Sequence, residues 1–128
     1  MKTVLVVEDT KSERRLMSAL LRQAGFKVGE VNSVENAWNW LKVNSFPDMI
    51  LLDIILPGIN GLEFCRQIRS RSQEWQEIPI LFCSSRAEEF DRFWALRQGG
   101  TDYITKPYAP QDLIGTVFKH LDLKHNLN

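Results

Sequence analysis

Cysteine is scarce. The 128 residues hold only Cys65 and Cys83, with no CxxC pair and no Cys/His spacing of a zinc site. Two isolated thiols read as small buried apolar residues in a reducing compartment, which sets aside a disulfide framework. Nor is charge of one sign in excess, since 16 basic residues balance 16 acidic ones. That leaves no global basic field to gather nucleic acid and no polybasic stretch for a membrane surface. A DNA-binding output element within this chain is therefore not expected. Long apolar runs are missing as well. The run Val4–Val7 stops at Glu8 and Asp9, too short for the core of a signal peptide or for a spanning helix, so the cytoplasm is the expected compartment. Phosphate-cradling glycine motifs are absent too: there is no GxxxxGK[ST], and no GxGxxG follows the first apolar run. An ordinary nucleotide-binding domain is excluded on that ground.

What is there fits one soluble domain: 128 residues, 44% hydrophobic and 25% charged. Short apolar runs alternate with longer amphipathic ones. Thr3–Val7 is continuous and β-branched, the pattern of a strand buried on both faces. Thr10-Lys-Ser-Glu13 matches a capping box and opens a helix ending at Gly25, with Leu16, Ala19, Leu20 and Gln23 at helical spacing. Lys27–Val31 is a second strand. Ser33 caps a helix to about Val43, with Val34, Ala37, Trp38 and Leu41 on one face. Met49–Leu52 is the most apolar strand and the expected centre of the sheet. A loop over Ile54–Asn60 leads to a helix at Gly61–Arg71, and Ser72–Glu77 reads as a loop. Ile78–Cys83 is a fourth strand, Ala87–Gln98 a fourth helix stopped by Gly99-Gly100, and Asp102–Thr105 a fifth strand. Pro110 opens a last helix to about Leu121. We expect one domain over residues 1–124, with 125–128 a short frayed tail. The pattern is (βα)5: a doubly wound parallel sheet with helices on both faces.

In such a sheet, sites form outside the carboxyl ends of the strands. Glu8 and Asp9 follow the first strand, Asp53 the third, Ser84 and Ser85 the fourth, and Lys106 with Pro107 the fifth. Carboxylates gathered so closely repel one another, and a divalent cation relieves the repulsion. Mg²⁺ prefers hard oxygen ligands and neutralises charge in phosphoryl transfer. Ser84 can hydrogen-bond a phosphoryl oxygen, and Lys106 can pair with one as a point charge. One carboxylate is then the nucleophile, and Asp53, at the end of the central strand, is the natural choice. Each residue alone has a blander explanation as a cap, a turn former or a solvated charge. All of them together, each at its strand end, point to one site.

These residues carry a resemblance. Glu8-Asp9, the stretch from Asp53 through Pro57 to Gly61, Pro79-Ile80 with Ser84, and Tyr103-Ile-Thr-Lys106-Pro107 resemble the receiver domain of two-component response regulators, over essentially the whole chain. The resemblance implies a flavodoxin-like fold with strand order 2-1-3-4-5. It implies that Asp53 accepts a phosphoryl group from a histidine kinase or a histidine phosphotransfer protein, in a Mg²⁺-dependent reaction. It also implies that the domain catalyses only its own phosphorylation and dephosphorylation. Glu8 and Asp9 match the acidic pair, with Asp9 the more direct Mg²⁺ ligand. The backbone carbonyl of Ile55 matches a third ligand beside Asp53. Ser84 matches the hydroxyl that moves on activation, Tyr103 the aromatic coupled to it, and the Lys106-Pro107 bond is implied to be cis. Glu8 stands where the family more often has Asp, and Ser85 where it often has Ala. An aspartyl-intermediate phosphatase would usually carry a second acid where Ile55 stands. The remaining alternative is a phosphate-independent interaction module on a receiver fold.

Because no further element follows the last helix, we expect a stand-alone regulator whose output passes through another protein. The expected signalling surface is the fourth helix, the fifth strand and the last helix. Ser84 would be drawn inward by the phosphoryl group, and Tyr103 would turn from exposed to buried. Phe90, Phe93 and Trp94 form one apolar stripe with Leu96 outside it. One helix face cannot bury all four, so we expect an exposed anchor for a protein target, or the seam of a homodimer.

Overall fold

A computed structural model of the chain describes residues 1–121. Five strands form one parallel sheet: β1 (Thr3–Val7), β2 (Lys27–Val31), β3 (Met49–Leu52), β4 (Ile80–Ser84) and β5 (Asp102–Thr105), in the order β2-β1-β3-β4-β5. The helices are α1 (Lys11–Gln23), α2 (Val34–Val43), α3 (Gly61–Arg69), α4 (Gln73–Gln76), α5 (Glu89–Arg97) and α6 (Pro110–Leu121). The tail expected at 125–128 lies outside the described residues, as does the end of the domain expected at residue 124.

The alternation of side chains along a strand sorts the sheet into two cores. From β1, Leu5 and Val7 face α2, α3 and α5, joining Phe64, Cys65, Ile68 and Ala95. Val4 and Val6 face the other way, joining Met17 and Leu21 of α1 and Leu113 and Val117 of α6. Every residue of β3 and β4 is buried, which is why both read as unbroken apolar runs. β3 is the middle strand, so its carboxyl end is flanked by those of β1 and β4. That registers Leu52 beside Val7 on one side and Phe82 on the other.

Local chemistry places most boundaries. The Ser33 hydroxyl accepts from the Asn36 N–H and starts α2, while Asn60 does the same for α3 through Glu63. The capping box expected at Thr10–Glu13 does not form. Thr10 makes no side-chain cap, its N–H donates instead to Glu8 Oε2 at 3.0 Å, and Glu13 is engaged elsewhere. α1 is also turned by about one residue from the expected stripe: Met17, Ser18 and Leu21 are buried, and Leu16 is half exposed. The stretch expected as a loop at Ser72–Glu77 contains the single-turn α4. Trp75 pins it by packing on Trp38 and Phe46, and the Arg69 guanidinium donates to the Trp75 carbonyl.

α5 departs most from expectation. It starts at Glu89, later than the expected Ala87, and its capping box is made by Glu88 and Asp91. Only Ala95 is buried. Phe90, Phe93, Trp94 and Leu96 are all exposed, so the apolar stripe faces away from the sheet. Ala95, the smallest side chain of α5, is the one that enters the core. Gly100, just beyond it, passes within 2.7 Å (measured from an ideal Cβ) of the Phe82 ring.

Candidate functional site

The carboxyl ends of β1, β3 and β5 bring four of the expected residues together. Glu8, Asp9 and Asp53 each offer a carboxylate oxygen, and these oxygens lie within 4.8 Å of one another. Glu8 and Asp53 are buried, and Asp9 is exposed. Lys106, from the end of β5, reaches back with its ammonium 2.6 Å from Glu8 Oε1 and 2.8 Å from Asp53 Oδ2. The Lys106-Pro107 bond is cis.

The sheet fixes these positions through the backbone. The Asp53 N–H donates to the Val7 carbonyl, the Glu8 N–H to the Val31 carbonyl, and the Lys106 N–H to the Ser84 carbonyl. Each functional residue is thus tied to the strand beside it. Asp53 Oδ1 accepts from its own loop, from the Ile54 N–H at 2.6 Å and the Ile55 N–H at 3.3 Å. Gly61 closes the loop, for its N–H donates to the Ile54 carbonyl at 2.8 Å. A Cβ there would meet the Asp53 carbonyl oxygen at 2.0 Å. Backbone cannot yield that far, so Gly61→Ala is expected to cost about 3 kcal/mol and to displace Asp53. Urea denaturation with and without Mg²⁺ checks both effects.

The electrostatics follow from burial. Removal from water pushes the Glu8 carboxyl up to about 7, against the Lys106 and Thr10 hydrogen bonds that favour its charged form. Burial alone would lower Lys106, but hydrogen bonds to Asp53, Glu13 and Glu8 hold it well above the ordinary lysine range, so it is always charged. Burial raises the Cys83 thiol to about 12 and the Cys65 thiol to about 11, which removes both as nucleophiles. Three acids with hard oxygen donors suit a small divalent ion. Octahedral Mg²⁺ ligands stand roughly 3–4 Å apart, which the observed spread meets with small side-chain adjustments.

Ser84 ends β4 and is fully buried, with its hydroxyl accepting from the Arg86 N–H at 3.3 Å. It does not cap α5. Ile55 is half exposed at the mouth of the site. Tyr103 stands apart from the acids and is buried in this structure. Its hydroxyl donates to the Arg86 carbonyl at 2.6 Å, and its ring lies beside Phe82. Arg86 itself turns to Asp91 of α5, 3.7 Å away. The chain Ser84–Arg86–Tyr103 therefore links the site edge to the start of α5.

Two participants escaped the sequence reading. Glu13 Oε1 lies 2.8 Å from the Lys106 ammonium, and Arg14 donates to the carbonyls of Glu8 and Asp9. One signal was available for Glu13: it lies in the first turn of the helix that directly follows Glu8 and Asp9.

Comparison with known proteins agrees with this geometry. Residues 4–118 match the response regulator receiver domain family. The Escherichia coli phosphate regulon transcriptional regulatory protein PhoB is 37% identical over 116 residues, covering 91% of this chain and 50% of that protein. The chain spans about half the length of the curated relatives it matches. A crystal structure of a putative response regulator from Chloroflexus aurantiacus superposes with a TM-score of 0.88 at 30% identity, covering 94% of this chain and 98% of that one. The BeF3-activated receiver domain of Klebsiella pneumoniae RstA superposes with a TM-score of 0.85 at 29% identity, with the same coverage. With its parallel sheet in the order 2-1-3-4-5 and an acid cluster joined to a lysine at the strand ends, this chain belongs to the response regulator receiver domain family.

Proposed function

We propose that this domain is a cytoplasmic phosphorylation switch of a two-component system or phosphorelay, with Asp53 as the phosphoacceptor. The ammonium of Lys106 seated on Asp53 Oδ2 carries the reading, because it sets a fixed positive charge where phosphoryl oxygens would arrive. An Asp53 carboxylate oxygen attacks phosphorus, and the phosphorus–nitrogen bond of a phosphohistidine donor breaks, its electron pair remaining on the imidazole. The donor is a histidine kinase or a histidine phosphotransfer protein. Glu8, Asp9, Asp53 and the Ile55 carbonyl are the residues we assign to hold Mg²⁺, which when bound neutralises charge developing on the transferring group. Lys106 takes one phosphoryl oxygen, and the Ser84 hydroxyl another. The domain transforms no other substrate.

Output follows from the Ser84–Arg86–Tyr103 chain. When Ser84 turns toward the phosphoryl group, its bond to the Arg86 N–H is given up, and the segment that Tyr103 holds through the Arg86 carbonyl shifts with it. α5 is suited to follow, since Ala95 is its only buried residue. The face made by α5, β5 and α6 then presents a changed surface to a protein target or to a second copy of the domain. Trp94, 41% exposed and edge-on to Phe90 and Phe93, is its large apolar anchor.

The direct test is acetyl phosphate or beryllofluoride with Mg²⁺, read by tryptophan fluorescence and NMR; spectra that ignore both would support the phosphate-independent module instead. Trp94→Ala and Tyr103→Phe refine the output reading. Phosphorylation by acetyl phosphate is expected to stay within about twofold of wild type in both. Activation-dependent binding should fall by about tenfold or more for Trp94→Ala, the loss of one well-packed aromatic anchor. Unchanged binding in both variants would move the output surface elsewhere, to α1 beside the site.

A further inference from the structure

Among the described residues, Glu13 is the one acid at the site that neither the strand-end pattern nor the family resemblance assigned. An ammonium has three hydrogens to donate. Lys106 has three carboxylates around it, Glu8 at 2.6 Å, Asp53 at 2.8 Å and Glu13 at 2.8 Å, so it is saturated. The partners differ sharply in surroundings. The side chains of Glu8 and Asp53 are 1% and 9% exposed, and that of Glu13 is 40% exposed. A buried carboxylate that lost the ammonium would be left uncompensated, whereas Glu13 can exchange it for water at little cost. Glu13 also lines the open cavity beside the acids, together with Asp9, Asp53 and Lys106. Any group entering that cavity meets its charge.

We propose that Glu13 is a positioning residue of the phosphorylation site: it holds the third hydrogen of the Lys106 ammonium and is the partner that yields when a phosphoryl oxygen needs it. The inference rests on the reading of Asp53 as phosphoacceptor. It has two consequences of opposite sign. The Glu13 carboxylate adds to the negative potential that attracts a divalent cation. The same charge opposes an incoming anionic phosphoryl donor and competes with it for Lys106. Glu13 thereby sets the balance between cation binding and phosphoryl acceptance, at the scale of one partly exposed ion pair.

Glu13→Gln keeps the length and an accepting carbonyl but removes the charge. In this variant Mg²⁺ affinity is expected to weaken by about two- to fivefold, while the rate of phosphorylation by acetyl phosphate at saturating Mg²⁺ rises by about two- to fivefold. Both differences should shrink in high salt, which screens a half-exposed charge. Glu13→Asp keeps the charge on a side chain one methylene too short to hold the ammonium. It should retain near-wild-type Mg²⁺ affinity while phosphorylating faster than wild type. A purely structural role would weaken both properties together, so changes of the same sign in Glu13→Gln, or no change in either, overturn the inference. If wild-type protein takes no phosphoryl group at all, the reading of Asp53 fails and the inference falls with it. If wild type is phosphorylated and Glu13→Gln behaves identically, only the inference fails.

Discussion

Asp53→Asn is expected to reduce phosphorylation by acetyl phosphate to background, a loss of at least about a hundredfold, or roughly 2.7 kcal/mol of transition-state stabilisation. The amide keeps the shape of the side chain but is no usable nucleophile. It also keeps the fold. Asn can still accept from the Ile54 N–H, the shorter of the two bonds made by Asp53 Oδ1. Its amide nitrogen cannot accept from Lys106, so the charge-assisted bond at Oδ2 is lost. Such a bond contributes about 1.5–3 kcal/mol, and relief of repulsion with Glu8 and Asp9 offsets part of it. Stability should therefore change by no more than about 2 kcal/mol, measured by urea denaturation in a chelator. Two readouts keep the result interpretable: a folded variant without phosphoprotein supports the assignment, and a folded variant phosphorylated at wild-type yield sinks it.

Lys106→Ala is expected to lower stability strongly. Its ammonium is the cation bonded to Glu8, Glu13 and Asp53. Removing one partner of a buried ion pair leaves uncompensated charge, at a cost of about 3–5 kcal/mol. In a chelator at neutral pH we expect a loss near 3 kcal/mol, because Glu13 is solvated and Glu8 can take up a proton. The pH dependence has a definite sign. Burial raises the Glu8 carboxyl from 4.5 to about 7 in the folded protein. Between those values the folded state binds more protons than the unfolded one, so stability falls as pH rises through that window. Loss of Lys106 pushes Glu8 higher still, so lowering the pH from 7 to 5 should recover more stability in the variant than in wild type. Mg²⁺ should recover it too, and should bind about tenfold more tightly once the competing cation is gone. Phosphorylation by acetyl phosphate should persist while the accompanying fluorescence and NMR changes disappear. Resting and activated spectra that still differ as in wild type would contradict the role given to Lys106.

The elements legible in the sequence were those specified by local chemistry. Continuous β-branched or aliphatic runs gave β1, β3 and β4, Ser33 marked the start of α2, and Pro110 that of α6. The acids and Lys106 were legible because a parallel sheet gathers the residues that follow its strands, whatever their distance along the chain. What was not legible depended on distant partners. Thr10 to Glu13 satisfies a capping-box pattern, yet Lys106 from the end of β5 claims Glu13. α4 has no periodicity of its own and exists because Trp75 finds Trp38 and Phe46. The composition of α5 pointed to at least one exposed large side chain; that all four lie outside depends on Ala95 being the residue that enters the core, which no local pattern announces. The buried position of Tyr103 depends on the Arg86 carbonyl, which no local pattern announces.

The most direct test is to locate the phosphoryl group. Wild-type protein is treated with acetyl phosphate in Mg²⁺ or in chelator, reduced with borohydride and mapped by peptide mass. Borohydride converts an acyl phosphate to the corresponding alcohol, marking the residue that carried it. The reduced residue is expected at position 53, in the Mg²⁺ sample alone. A mark on Glu8, Asp9 or any other acid, or an equal mark at position 53 in chelator, would contradict it.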